Sequence, residues 1–178
     1  ELDAMKVDDG ITFNNSYGTG GTTVDTGDAQ TTATFTKVID GRDWLDTDSF
    51  QFTITPEDGA PAFEGADDNG VSTVEVTTAN DKVDKITGTD GTEDVNGRSF
   101  NFGSVTFKTG LLTKTFTYTV AEVVPADADK IPGMTYSGNT ATLTITVVDN
   151  GNGTMTATPR VQNGVFTNSY ATSVDGAA

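Results

Sequence analysis

Short runs in which apolar and polar residues alternate recur along the chain, and they limit its fold more than any other feature. Residues two apart in a β-strand lie on the same face, so an alternating run is typical of a strand with one buried side. Gly, Asn and Asp separate the runs, and residues 149–153 (Asp-Asn-Gly-Asn-Gly) have the composition of a hairpin turn. The runs predict strands at residues 31–39, 49–55, 100–107, 115–123, 140–148, 154–158 and 165–170. The chain is therefore expected to be all-β, an Ig-like antiparallel β-sandwich of about seven strands.

Three polar residues occupy positions in these runs where an apolar side chain is expected. Lys37 lies two residues after Phe35, Glu122 lies between Val120 and Val124 in an alternating run, and Asn168 lies two residues after Phe166. Each side chain should therefore point into the core, where an amine, a carboxyl and an amide are costly unless they satisfy one another. An amine beside a carboxamide, with a carboxyl to move protons, can form an amide bond and release ammonia. The pattern predicts an intramolecular isopeptide bond.

The proposed chemistry sets requirements on all three groups. Burial should lower the pKa of the Lys37 amine and raise that of the Glu122 carboxyl, so that both are neutral. The protonated carboxyl is expected to hydrogen-bond the Asn168 side-chain oxygen and then to protonate the departing ammonia. The reaction occurs once per molecule, so the chain is not expected to be a turnover enzyme. The apolar shell around the site is predicted to comprise Phe35, Phe52, Phe116, Tyr118, Phe166 and Tyr170.

Each of the three residues also has a simpler interpretation. An inward lysine near a strand end often reaches solvent, a lone glutamate often forms a salt bridge, and an Asn-Ser pair often forms a turn. Lys114 also alternates with apolar neighbours. It immediately precedes the predicted strand that holds Glu122, about 26 Å from that residue at the usual rise per residue, and is too far to use that carboxyl.

The composition excludes several classes of protein. The chain has no cysteine and no histidine, which excludes disulfides, a cysteine nucleophile and most zinc sites and hydrolase triads. With 26 acidic and 10 basic residues, its net charge is −16, which argues against nucleic acid or an anionic membrane as a partner. No stretch of the sequence is long and apolar enough to span a membrane. No cofactor and no metal ligands are predicted.

Two features of the sequence indicate the domain organisation. Residues 56–97 are rich in Asp, Gly, Thr and Asn and are predicted to be a loop-rich insertion, with a small hairpin and one short helical turn near 81–86. The motif Phe13-Asn14-Asn15-Ser16-Tyr17 matches Phe166-Thr167-Asn168-Ser169-Tyr170 near the other end. Residues 1–17 are therefore predicted to be the last strand of a preceding repeat. Residues 18–30 would then be a linker, 31–171 the domain and 172–178 a tail.

Several motifs, in their order and spacing, resemble a known family. They are Phe35-Thr36-Lys37-Val38-Ile39-Asp40-Gly41-Arg42, Phe116-Thr117-Tyr118-Thr119-Val120-Ala121-Glu122 and the closing Phe166-Thr167-Asn168-Ser169-Tyr170. The family is the streptococcal pilin isopeptide-linkage domain, a relative of the collagen-adhesin B-type repeats of Gram-positive surface proteins. The resemblance covers about residues 31–171 apart from the insertion. It implies that Lys37 bonds to Asn168 with the assistance of Glu122.

The resemblance also implies a function. It indicates a structural stalk repeat of a Gram-positive adhesin or pilus-like protein, extracellular and cell-wall-anchored, whose partners are neighbouring repeats of the same chain. The sequence lacks both a Tyr-Pro-Lys-type pilin motif and a Leu-Pro-x-Thr-Gly sorting signal. The first absence favours a stalk over a pilus shaft, and the anchor is expected outside this fragment.

Two other functions stay open at the level of sequence. A ligand-binding adhesin head, with Ca²⁺ or a host molecule held by the acidic residues at 64–68 and 90–94, is the main alternative, although neither stretch has EF-hand spacing. A carboxylate-pair glycosidase is the weaker one, because it needs two acids across a cleft and only Glu122 is placed for chemistry.

Overall fold

The structure, a computed structural model, describes residues 28–87, 91–108 and 113–172. These residues form twelve strands and one short 3₁₀ helix, Asp127–Asp129. The strands are β1 (Ala29–Thr31), β2 (Thr34–Asp40), β3 (Phe50–Pro56), β4 (Ser72–Val76), β5 (Val83–Thr87), β6 (Glu93–Asn101), β7 (Val105–Phe107), β8 (Lys114–Glu122), β9 (Met134–Thr135), β10 (Thr140–Asp149), β11 (Met155–Gln162) and β12 (Val165–Tyr170). The predicted preceding strand at 1–17 lies outside the described residues, as do most of the predicted linker and tail.

Two five-stranded sheets make up most of the fold. One has the order β11-β10-β8-β3-β4, the other has the order β5-β6-β2-β12-β9, and β1 pairs with β7 in a small third sheet. This arrangement confirms the predicted all-β sandwich. No helix in the described part of the chain is long and apolar enough to cross a membrane.

Aromatic side chains from both sheets fill the space between them. The ring centroid of Phe52 on β3 lies 4.4 Å from that of Phe100 on β6 and 5.0 Å from that of Phe166 on β12. All three side chains are buried, and each such burial stabilises the fold by about 1.5–3 kcal/mol. The packed rings fix the separation of the sheets, so that side chains from opposite sheets can meet at defined distances.

One pair of strands in the sandwich runs parallel. β12 pairs with β2 with Phe166 opposite Lys37 and Asn168 opposite Ile39, whereas the other pairs among the described strands are antiparallel. The antiparallel pattern expected from the sequence does not hold at this pair. A hairpin forces its strands to be antiparallel, but β2 and β12 are connected through the whole domain, so either direction is accessible.

The segment 56–97, predicted as a loop-rich insertion, contributes strands to both large sheets. β4 pairs with β3, and β5 forms a hairpin with β6. The helical turn expected near 81–86 is wrong, because these residues fall largely in β5, where Val83 lies opposite Phe100 and packs against the core. The strand predicted at 100–107 is divided between β6 and β7 at Gly103, whose φ is 82°.

Candidate functional site

The three polar residues singled out from the alternation lie on three strands and meet inside the sandwich. Lys37 is on β2, Asn168 is on the neighbouring β12, and Glu122 is the last residue of β8 in the facing sheet. Lys37 and Asn168 have no exposed surface, and Glu122 is 8% exposed as a whole residue, with none of that exposure in its side chain. Each follows the inward pattern of its strand, so the packing of the two sheets brings the three side chains together.

The Glu122 carboxyl contacts both of the other groups. Lys37 Nζ lies 2.9 Å from Glu122 Oε2, and neither side chain has any exposed surface. Asn168 Nδ2 donates a hydrogen bond to Glu122 Oε1 at 2.8 Å. One carboxyl therefore contacts, through its two oxygens, the amine that would attack and the amide nitrogen that would leave.

A backbone group outside the predicted set completes the site. The Ser137 N–H donates to Asn168 Oδ1 at 2.7 Å. The Glu122 carboxyl, expected from the sequence to bond this oxygen, instead contacts the amide nitrogen. The orientation of the amide follows from its partners, because a flipped amide would point its NH₂ group at the N–H of Ser137. Sequence reasoning missed Ser137, since a backbone N–H carries no side-chain signal.

The environment of Lys37 favours a neutral amine. Burial lowers the pKa of Lys37 from 10.5 to about 8, and the charge of Glu122 and its hydrogen bond only partly oppose that shift. At pH 7 a pKa of about 8 leaves roughly a tenth of the amine unprotonated. A surface lysine with a pKa near 10.4 would have less than about a thousandth of its amine in that form. Burial therefore makes the nucleophilic form accessible at neutral pH.

Aromatic rings cover the amine. The Phe50 ring centroid lies 4.6 Å from Lys37 Nζ, and that of Phe52 lies 6.0 Å away. Phe166 packs on Phe52, and Phe35 is buried on the same face of β2 as Lys37. Phe50 was not in the predicted shell, although it lies two residues before Phe52 and its strand pattern gave the same inward direction.

The remaining residues of the predicted shell lie elsewhere. Phe116 and Tyr118 precede Glu122 on β8 and pack against Phe107 and Phe63. Tyr118 lies four residues before Glu122, which is about 13 Å along the strand. Tyr170 is only half-buried at the end of β12. These rings stabilise the sandwich without contacting the amine.

The acidic stretch at 64–68 uses its carboxylates within its own neighbourhood. Glu64 accepts a hydrogen bond from the Ser104 hydroxyl, and Asp67 Oδ1 accepts from the backbone N–H groups of Asn69 and Val71. Within residues 28–87, 91–108 and 113–172, no group of three or more carboxylates is arranged to hold a metal ion.

Comparison with known proteins gave one family. Residues 33–171 match the sequence model of FctA, described as a Spy0128-like isopeptide containing domain. A search of curated proteins found no match.

Among solved structures, the chain is similar to major pilins of Streptococcus pyogenes. A crystal structure of that pilin is 19% identical with a TM-score of 0.41, and a point-substituted form is 21% identical with a TM-score of 0.43. Both similarities cover 78% of this chain and 50% of the pilin. The T-13 major pilin is 22% identical with a TM-score of 0.38, covering 81% of this chain and 54% of that protein. The chain thus spans about half the length of these pilins.

Proposed function

Because the chain belongs to the FctA family of Spy0128-like isopeptide-containing domains, we propose that it forms an intramolecular isopeptide bond between Lys37 and Asn168, with Glu122 as the proton shuttle. One observation carries this proposal. The fully buried Glu122 side chain lies 2.9 Å from the Lys37 amine and 2.8 Å from the amide nitrogen of Asn168. A structural salt bridge would not require the second contact.

The reaction proceeds by addition and elimination. Proton transfer within the buried pair leaves a neutral Lys37 amine and a protonated Glu122. The lone pair of Nζ attacks Cγ of Asn168, and the π electrons of the carbonyl move to Oδ1. Glu122 then gives its proton to Nδ2 and accepts one from Nζ. The carbonyl re-forms as the Cγ–Nδ2 bond breaks, so the products are one amide and one ammonia, and Glu122 is again protonated.

The fixed positions of the two reacting side chains account for much of the rate of bond formation. Lys37 and Asn168 are on paired strands with fixed register, so the two reactants lose almost no further freedom on reacting. The fold uses its own side chains as substrates, and the bond forms once in each molecule. The domain is therefore a structural element and not an enzyme with turnover.

We assign the domain to the stalk of a Gram-positive cell-surface adhesin or pilus-like protein. The family supports an extracellular structural role. The match between residues 13–17 and the end of β12 supports neighbouring repeats of the same chain as partners. In this assignment a cell-wall anchor belongs to another part of the protein, and the cross-link ties the first core strand to the last.

Intact mass tests the cross-link directly. The purified parent chain should be lighter than its sequence mass by one ammonia, whereas Glu122→Ala and Lys37→Ala should have full sequence mass. Lys114→Ala is the control, because Lys114 is an exposed lysine over the ring of Phe116. It should lose ammonia as the parent does. Peptide mapping should join Lys37 to Asn168. A parent of full sequence mass would refute the proposal.

A further inference from the structure

The oxygen and the nitrogen of the Asn168 amide have different hydrogen-bond partners. Glu122 contacts Nδ2, whereas Oδ1 accepts the Ser137 N–H at 2.7 Å. Negative charge develops on this oxygen when an amine adds to the carbonyl carbon. A donor already in contact with it stabilises that charge more than the neutral amide.

We propose that the backbone N–H of Ser137 is the oxyanion donor of the cross-linking reaction. This inference rests on the proposed function and deepens it, because it separates two tasks within one site. Glu122 moves protons between Nζ and Nδ2, and Ser137 receives the electron pair that the addition pushes onto Oδ1. The tetrahedral intermediate then returns that pair to re-form the carbonyl as ammonia departs, so the donor is neither consumed nor charged.

The segment that carries this donor is fixed before the reaction. It follows β9, which pairs with β12 so that Thr135 lies opposite Ser169. Two residues beyond Ser137, the Asn139 side chain donates to the carbonyl oxygens of Asn163 and Val165 at 2.8 and 3.0 Å.

Tyr136, immediately before Ser137, is held as well. Its ring lies 6.1 Å from that of Phe50, and its hydroxyl accepts the backbone N–H of Ile131 at 3.2 Å. The contacts of Tyr136 and Asn139 hold the Ser137 N–H in place beside the Asn168 amide, so the backbone does not need to reorganise during the reaction. A donor accelerates a reaction under this condition.

A single-atom change in the full 178-residue chain tests the donor. Lactic acid incorporated at position 137 gives the ester analogue of Ser137→Ala, in which an oxygen replaces the N–H. Ser137→Ala is the matched reference, because both chains lack the hydroxyl, which accepts the N–H of Asn139 at 3.1 Å. Ser137→Pro removes the same N–H by ordinary mutagenesis and provides a second, independent test.

The rate is read from intact mass. Each chain is made by cell-free synthesis at several pH values, aliquots are quenched in acid and denaturant, and the fraction that has lost ammonia is followed with time. Circular dichroism and a melting curve on purified, unquenched samples of each chain establish which variants are folded.

The expected result is a rate at least about 100-fold lower for the ester than for Ser137→Ala, as for removal of other oxyanion donors. The loss should be similar at every pH, because Lys37 and Glu122 are unchanged. A folded ester or proline variant that reacts within threefold of Ser137→Ala overturns the inference and leaves the proposed function standing. A parent chain that never loses ammonia overturns the proposed function and the inference with it.

Discussion

The cross-link should determine how far the domain extends under tension, and Asn168→Ala is the perturbation that reveals it. Lys37 and Asn168 lie on paired strands, and about 130 residues lie between them along the chain. Fully extended, these residues span about 430–470 Å at 3.3–3.6 Å per residue. In the parent chain the isopeptide bond should carry the force past all of them, so none of this length should be released.

Only the residues before Lys37 and after Asn168 can extend in the cross-linked domain. β1 and the first residues of β2 precede Lys37, and two residues of β12 follow Asn168; about ten residues give at most about 36 Å. The parent should therefore show an extension below about 40 Å, whereas Asn168→Ala should unfold with a release of more than about 400 Å.

Single-molecule pulling of the domain between two reporter domains measures this difference. Asn150→Ala is the control, because Asn150 lies in the exposed turn between β10 and β11. It should extend as little as the parent. A parent chain that has lost ammonia but still releases about 400 Å would refute the placement of the bond. In that case the cross-link would join residues other than Lys37 and Asn168.

Three further predictions concern stability. Asn168→Ala should lose about 5 kcal/mol of unfolding free energy on the loop-entropy relation, measured by denaturant titration, and a loss below about 1 kcal/mol would contradict it. In that variant stability should rise by up to about 3 kcal/mol between pH 8 and 10.5, because there the unfolded state keeps the proton that folded Lys37 has released. The rise should vanish when Lys37→Met is added. Gly41→Ala should unfold at clearly lower denaturant than Gly65→Ala: both have positive φ, but only at Gly41 would a Cβ overlap the Tyr170 carbonyl oxygen. Equal midpoints would refute that reasoning.

The sequence predicted the fold class and the inward direction of three polar side chains for a common reason. Alternation marks which side chains face the core, and Lys37, Glu122 and Asn168 each break an apolar pattern on one strand. Both the all-β sandwich and the family were confirmed. The meeting of the three side chains depends on sheet packing, which no single strand encodes, and their cross-linking stays a proposal.

Other features could not be predicted because they arise from tertiary structure alone. The parallel direction of β2 and β12 depends on the route of the connection between them. Strand β5 has weak alternation, and its pairing with β6 stabilises it. The N–H of Ser137 is identical to any other backbone N–H until the chain brings it to Asn168. Phe50 could have been found, since its strand pattern already pointed it inward.

The parallel pairing of β2 and β12 also affects how far a series of joined domains would extend. Two antiparallel end strands would return the chain to the side where it entered, whereas these two carry it in at one end of the sandwich and out at the other. Copies joined in series would therefore stand one beyond another. With β10 at ten residues, each copy would add at least about 30 Å. The number of domains in such a chain would set how far its tip stands from the surface that carries it.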